Sequence, residues 1–435
     1  MATASPLLLR GGLLIDTDPY PAVLGPGDLL VENGAIAAVI PAGDDRPAAP
    51  PGTEVIDVTG RLVLPGFVDT HRHTWQAGIR AIAPDIDFPG YLRRVLGELA
   101  PRHRPQDAYA GTLAGALECL DAGITTLVDW SHIHRTPEHT AAVVGALREA
   151  GIRTVFGYCY GADGDLAALA AEGRRVRREH FGAPDPLMSM AMAALGPEIA
   201  GEERAVAEWR LARDLDLPIT VHMGGHGAES AERGLGLLAR HGLLGPRTTY
   251  VHPNFYTGDA LGRIAGSGGS ASVSPLIEAE LGIGHPATGR ARARGVPTGL
   301  GADTVTAGPG DMFSLMRAAY TLERARPERA GAGFTTRDAL RMATIEGAEA
   351  AGLADVTGSL RPGRQADLVV LRMDGLGQTP AHDPIGAVVL SADTRAVDTV
   401  IVAGRVVKRD GRLCHPGLPA ALAALAGSAA HLAAA

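Results

Sequence analysis

Eight short apolar runs, each beside a segment long enough for a helix, constrain this chain more than anything else in it. They are Leu64–Thr70, Ile124–Trp130, Thr154–Tyr158, Met188–Ala194, Ile219–His222, Tyr250–His252, Ala271–Pro275 and Val296–Ala302. Short continuous apolar runs read as strands buried on both faces. Eight strand–helix units across residues 63–355 predict an α/β fold, a closed (β/α)8 TIM barrel. An open doubly wound sheet is the alternative. No Gly-x-Gly-x-x-Gly follows an early strand, however, and Gly266-Ser267-Gly268-Gly269 reads as loop.

The flanks have another texture. Within residues 1–62, Asp28–Val31 and Ala35–Ile40 bracket Asn33-Gly34, a hairpin signal because both residues tolerate positive φ. Similar strands return within 356–415, at Ala366–Leu371 and Thr399–Val407. The two ends are expected to pair into one small β-sandwich, followed by an Ala-rich tail over 416–435. The Pro/Gly-rich stretch 41–52 reads as a loop.

At 435 residues the chain is long enough for a large catalytic domain and a smaller one. The net charge of -8 and the lack of a basic block argue against a nucleic-acid partner. Cys119, Cys159 and Cys414 lie far apart, so neither a disulfide framework nor a cysteine zinc site is expected. Met1–Arg10 lacks the pattern of a secretion signal, and Leu418–Ala435 is too weakly apolar to span a bilayer. The expectation is a cytoplasmic homo-oligomer that acts on a small molecule and binds no membrane.

Five polar residues close these runs at one end: His71 and His73 after the first, then His222, His252 and Asp303. Active-site groups of parallel barrels come from the C-terminal ends of strands. His71 and His73 are two apart on an extended chain, so their side chains project the same way. Neutral imidazole is a common zinc ligand, and a catalytic site wants three or four protein ligands. His71, His73, His222 and Asp303 meet that requirement.

The segment Leu64-Pro65-Gly66-Phe67-Val68-Asp69-Thr70-His71-Arg72-His73, with His222, His252 and Gly301-Ala302-Asp303, resembles the amidohydrolase superfamily. It is most similar to the branch of cytosine and guanine deaminases, triazine hydrolases and adenosylhomocysteine deaminases. The likeness extends to Ala122–Thr126, Ser272–Pro275 and Gly358–Val369, nearly the whole chain. It implies one divalent metal, Zn²⁺ or Fe²⁺, on His71, His73, His222 and Asp303. Asp303 then takes a proton from the metal-activated water and passes it to the leaving group. His252 donates a hydrogen bond to the oxyanion or the substrate ring. Binuclear relatives bridge two metals with a carboxylated lysine. Lys408 is the sole lysine here and lies far past the barrel, which excludes that arrangement.

One departure limits the reaction. Deaminases of this branch carry a glutamate three residues after the strand-five histidine, and this chain has Gly225 there. His226 is the first candidate to replace that acid, Glu229 a weaker one, and a plain loop histidine the bland alternative. Trp75, Gln76, Trp130, His132 and Glu278 are candidate substrate contacts or ordinary loop residues. Asp85–Phe88 could form a lid, with Arg80 either an anion anchor or simply exposed. The expected activity is hydrolysis of a carbon–nitrogen bond other than a peptide bond, foremost aminohydrolase action on a small heterocycle. Alternatives are a cyclic amide, displacement of halide or another group from a heteroaromatic ring, or a catalytically silent homologue.

Overall fold

The first long apolar run does not make one strand. In the structure, a computed structural model describing residues 5–43, 49–159, 165–327 and 333–433, it makes two. Arg61–Pro65 belongs to a sheet built from the chain ends, and Phe67–Arg72 opens the barrel. Gly66 is the joint. Its N–H donates to the Asp367 carbonyl in the sheet, and the next N–H, that of Phe67, donates to the Gly123 carbonyl below the barrel. A β-carbon at Gly66 would sit 2.2 Å from Thr125 Oγ1, so the crossing tolerates no side chain. Both halves of the run are fully buried, which hides the break from any hydrophobic pattern.

Strands β1 to β5 are Leu7–Asp16, Ala22–Glu32, Ala35–Pro41, Glu54–Asp57 and Arg61–Pro65. Strands β6 to β13 follow: Phe67–Arg72, Ile124–Ser131, Arg153–Tyr158, Met188–Ala194, Ile219–His222, Thr248–Val251, Ser270–Val273 and Thr298–Leu300. These eight pair in parallel and close into a barrel, as expected. The last four, β14 to β17, are Leu368–Arg372, Val397–Val402, Arg405–Arg409 and Arg412–Leu413. They join β1–β5 in one nine-stranded sheet, in which β5 lies between β1 and β14. The expected hairpin turns at Asn33 and Gly34, both with positive φ. The chain start, part of the 41–52 loop and the last two residues lie outside the described residues.

Alternation along the sheet sorts its two faces. Leu368 and Val370 join Leu9, Leu29 and Ile401 in the sheet's own core. Val369 and Leu371, from the opposite face, enter the main cluster with the barrel helices. One buried ion pair ties the two bodies together. Arg153 at the start of β8 donates through Nε to Asp367 Oδ2 at 2.6 Å, and Asp367 Oδ1 accepts from the Ala403 N–H at 2.7 Å.

The tail forms a helix, Leu418–Ala433, lying against the helix Pro105–Asp121 and the short helical segment Thr74–Ile79 that follows the histidine pair. Arg102 fixes its end by donating to the Leu432 carbonyl at 2.6 Å. Among the described residues, no helix is long and apolar enough to cross a membrane.

Removing one partner of a buried ion pair strands the other, at about 3–5 kcal/mol. Asp367→Ala should therefore lower the unfolding free energy by an amount of that order, seen as a lower urea midpoint when unfolding is followed by circular dichroism. An unchanged midpoint would show that the pair does not couple sheet and barrel.

Candidate metal centre and its surroundings

The five strand-end residues converge. Asp303 Oδ1 lies 3.4 Å from His71 Nε2 and 3.2 Å from His73 Nε2, and its Oδ2 lies 3.3 Å from His252 Nε2. His222 Nε2 is 3.2 Å from His71 Nε2. Ligand atoms of His71, His222 and His252 lie within 4.8 Å of one another, as do those of His71, His73 and Asp303.

Backbone geometry sets this up. The Asp303 N–H donates to the His71 carbonyl at 2.8 Å, and the His73 N–H returns to the Asp303 carbonyl at 2.7 Å. Asp303 holds φ +59°, a left-handed conformation that aspartate tolerates better than most residues. His252 also takes positive φ, which ends β11 at Val251 and turns the imidazole inward. Gly301 must be glycine, since a β-carbon there would meet His71 Cβ at 2.7 Å.

Arg72, between the two histidines, points the other way and is buried. It donates to Glu118 Oε2 at 2.6 Å and to the Gly310 carbonyl at 2.9 Å, and it stands 3.5 Å from Asp69 Oδ2. Asp69 Oδ1 accepts from the N–H groups of His71 and Ala302, joining the first and last barrel strands. Burial pushes the Asp69 pKa up to about 6, with Arg72 opposing.

Proton positions make the cluster a cation site. The Trp130 carbonyl accepts from His73 Nδ1 at 2.7 Å, so the neutral ring bears its proton there and turns the Nε2 lone pair toward the Asp303 carboxylate. Two acceptors 3.2 Å apart repel unless a cation lies between them. Burial pushes the His71 pKa down to about 3, and burial with neighbouring imidazoles holds His222 well below its ordinary value. Burial works against the Asp303 charge, but the contacts with the surrounding imidazoles of His71, His73 and His252 prevail and its carboxyl stays well below the usual range. The donor set is one carboxylate with imidazoles of which His71 and His222 are held neutral, and it suits a divalent metal.

His252 differs. Its Nδ1 donates to Glu278 Oε1 at 2.9 Å, and that oxygen also accepts from the Ser274 N–H at 2.8 Å. Burial opposes charge on His252, but the Glu278 hydrogen bond and the charges of Asp303 and Glu278 outweigh it, so its pKa is raised. Glu278 Oε2 has no partner among the described residues.

The aromatic candidates form the wall. Trp130 is buried, with its ring 4.1 Å from that of His222. His132 stacks on His73 at 4.2 Å and accepts from Trp75 Nε1 at 3.0 Å. Gln76, also buried, donates to the Tyr91 hydroxyl at 2.7 Å and accepts from Thr304. Trp75, Gln76 and Trp130 are buried, and His132 is the half-buried member of the group.

The mouth is partly roofed. Asp87 caps the short helix Phe88–Tyr91, and the Phe88 N–H donates to the Leu281 carbonyl beyond β12, so the expected lid reaches across. Arg80 is partly exposed and pairs with Glu118 at 2.7 Å. His226 stands half-buried, with its ring 5.6 Å from that of Phe88. Its Nδ1 lies 3.3 Å from Oε2 of Glu198, a residue the sequence reading passed over. Glu229 is exposed and pairs with Arg233 at 3.0 Å. Lys408 pairs with Asp121 at 2.8 Å.

A closed parallel barrel with imidazoles and a carboxylate gathered at its strand ends defines a hydrolase barrel of the metal-dependent kind. The chain belongs to the amidohydrolase family, whose profile matches residues 62–407. The 5'-deoxyadenosine deaminase of Methanothermobacter thermautotrophicus is 31% identical over 401 residues, covering 89% of this chain and 90% of that protein. The 8-oxoguanine deaminase of Pseudomonas aeruginosa is 29% identical over 414 residues, covering 87% and 88%. An adenosine deaminase from Xanthomonas campestris, solved with bound zinc, superposes with a TM-score of 0.86 at 26% identity and covers 99% of each chain. This protein is a hydrolase of carbon–nitrogen bonds other than peptide bonds.

The His252–Glu278 pair has a checkable pH signature. A raised histidine pKa stabilises the fold fully below the unfolded value, about 6.5, and the effect is lost as pH rises through the folded value. In chelator-treated protein, Glu278→Gln should move the His252 titration, followed by imidazole NMR, to lower pH. It should also remove that fall in stability. A His252 titration that does not move would show the pair to be without electrostatic weight.

Proposed function

We propose that this chain is a mononuclear aminohydrolase that removes an exocyclic amino group from a small nitrogen heterocycle as ammonia. The observation that carries this reading is the convergence of His71, His73, His222 and Asp303, with His73 Nδ1 engaged by the Trp130 carbonyl so that its Nε2 faces the cluster. Those four would hold one divalent cation, zinc foremost with Fe²⁺ the alternative. A cation there supplies Lewis acidity that makes water acidic near neutral pH. The deaminase names of the relatives favour an amino leaving group on a purine-like ring.

The residues then divide the work. Asp303 accepts a proton from the attacking water and delivers it to the departing amino nitrogen, and the ring carbon exchanges its amino group for oxygen. His252, held by Glu278, donates from Nε2 to the oxygen as negative charge develops there. His226 protonates a ring nitrogen and so raises the electrophilicity of the carbon, the task for which Gly225 has no side chain. Trp130 and His132 wall the imidazoles, and Phe88 limits access of bulk water.

A second reading keeps the activated water but changes the bond: opening of a cyclic amide, or displacement of a halide from a heteroaromatic ring. Gly225 favours it, because the acid that accompanies deamination in this branch is missing at that position.

Metal analysis should find about one equivalent per chain, and chelation should abolish activity that one equivalent of zinc restores. Ammonia release should appear within a panel of aminopurines, aminopyrimidines, pterins and aminotriazines. Metal-loaded protein silent across the whole panel would move the assignment to the second reading.

A further inference from the structure

The segment after β10 is built to bring His226 to a carboxylate from another part of the chain. Gly224 and Gly227 both take left-handed φ, +97° and +93°. A β-carbon at Gly224 would lie 2.8 Å from the backbone of Pro253, so the chain is pressed against the loop beyond β11. At Gly225 a β-carbon would lie 3.3 Å from His252 Cβ, which leaves little room for the long acid that deaminases of this branch carry there. The chain turns on these glycines and presents His226 instead.

Glu198 meets it from the first turn of the helix Gly196–Asp214, just past the end of β9. Its carboxylate is wholly buried, and each oxygen has a defined partner. Oε1 accepts from the Gly224 N–H at 2.8 Å, and Oε2 faces His226 Nδ1 at 3.3 Å. Space for it comes from a third glycine. A β-carbon at Gly234, on the helix Ala228–Arg240, would crowd Glu198 Cγ at 3.0 Å. An isolated buried carboxylate is costly, and one held between a backbone N–H and an imidazole is compensated.

We infer that Glu198 and His226 together replace the missing strand-five acid, with Glu198 as the positioning residue that fixes and orients the His226 ring. With Nδ1 engaged by Glu198, Nε2 is the ring nitrogen of His226 left to exchange a proton with substrate. The proton moves from Nε2 to a ring nitrogen of the substrate, leaving neutral His226 against ionised Glu198. The hydroxyl proton released as the carbon–oxygen double bond forms returns to His226, so atoms and charge balance and no further reactant is needed. This inference rests on the aminohydrolase reading for its catalytic consequence but not for the coupling itself.

Glu198 is the charged group bonded to His226 among the described residues, and Phe88 packs on the ring from the lid. Tyr256 feels the charge of Glu198, and Arg263 and Glu232 adjoin Tyr256. On the helix that follows His226, Glu229 is turned to Arg233.

The test is Glu198→Gln, which keeps an acceptor for the Gly224 N–H and removes only the charge. Imidazole NMR of the whole protein, with the His226 signal assigned by its loss in His226→Asn, should show His226 titrating about one pH unit lower in the variant. Turnover should fall on the order of 10²-fold with KM near wild type, as for loss of a general acid. The decline of kcat/KM at high pH should begin at lower pH, because less of the acid is protonated there. Glu198→Asp should recover part of each effect and guards against misfolding of the glutamine variant. In a His226→Ala background, Glu198→Gln should cost nothing further. A His226 titration that ignores Glu198 overturns the inference and leaves the aminohydrolase reading standing. Full ammonia release by His226→Ala overturns the replacement role even if the titration moves, and it removes His226 from the proposed mechanism.

Discussion

The hydrogen bonds between the end of β13 and the end of β6 are the constraint on which the site depends. The regular ladder between these strands is thin, with Leu300 opposite Asp69 as its one registered pair. Polar groups complete the closure. Asp303 exchanges backbone bonds with His71 and His73, and Asp69 reaches the N–H groups of His71 and Ala302. The contacts that shut the barrel are therefore the same ones that aim three members of the cluster. Metal affinity and closure of the last strand on the first are two readings of one set of bonds.

Arg72 extends this economy. It alternates with two imidazoles on an extended strand, so it must leave the mouth as they enter it. Its bonds to Glu118 and the Gly310 carbonyl, with Asp69 close by, anchor the strand end to the first barrel helix and to the loop beyond β13. A buried arginine here acts as a peg. Its charge is balanced on the far side of the strand, which leaves the cluster free to balance a cation of its own.

The barrel was legible because both faces of its strands are buried, giving short apolar runs that need no alternation. His71, His73, His222, His252 and Asp303 were legible for a related reason, since a polar residue closing such a run has little to do in packing. Two things were hidden. The break at Gly66 leaves no trace in hydrophobicity, because sheet and barrel bury Leu64 and Val68 equally well. Glu198 was masked by a sufficient local explanation, an acid in the first turn of a helix. Asking which polar residue follows β9 would have found it, as the same question found the others. Trp75 and Gln76 carried no signal of their partners, and only packing shows Trp75 bonded to His132 and Gln76 to Tyr91 and Thr304.

The placement of β5 between β1 and β14 bears on the order in which the molecule forms. Leu64 pairs with Val369, a residue that leaves the ribosome only after every barrel strand has been made. Until then, the strand leading directly into Phe67 and the histidine pair has one open edge, and Asp367 is not yet present to meet Arg153. Pairings so distant in sequence close slowly, and multi-part chains assemble in the order of synthesis. The barrel is thus free to gather first, with the sheet zipping shut last, so the chain's final quarter acts as the clasp on its first.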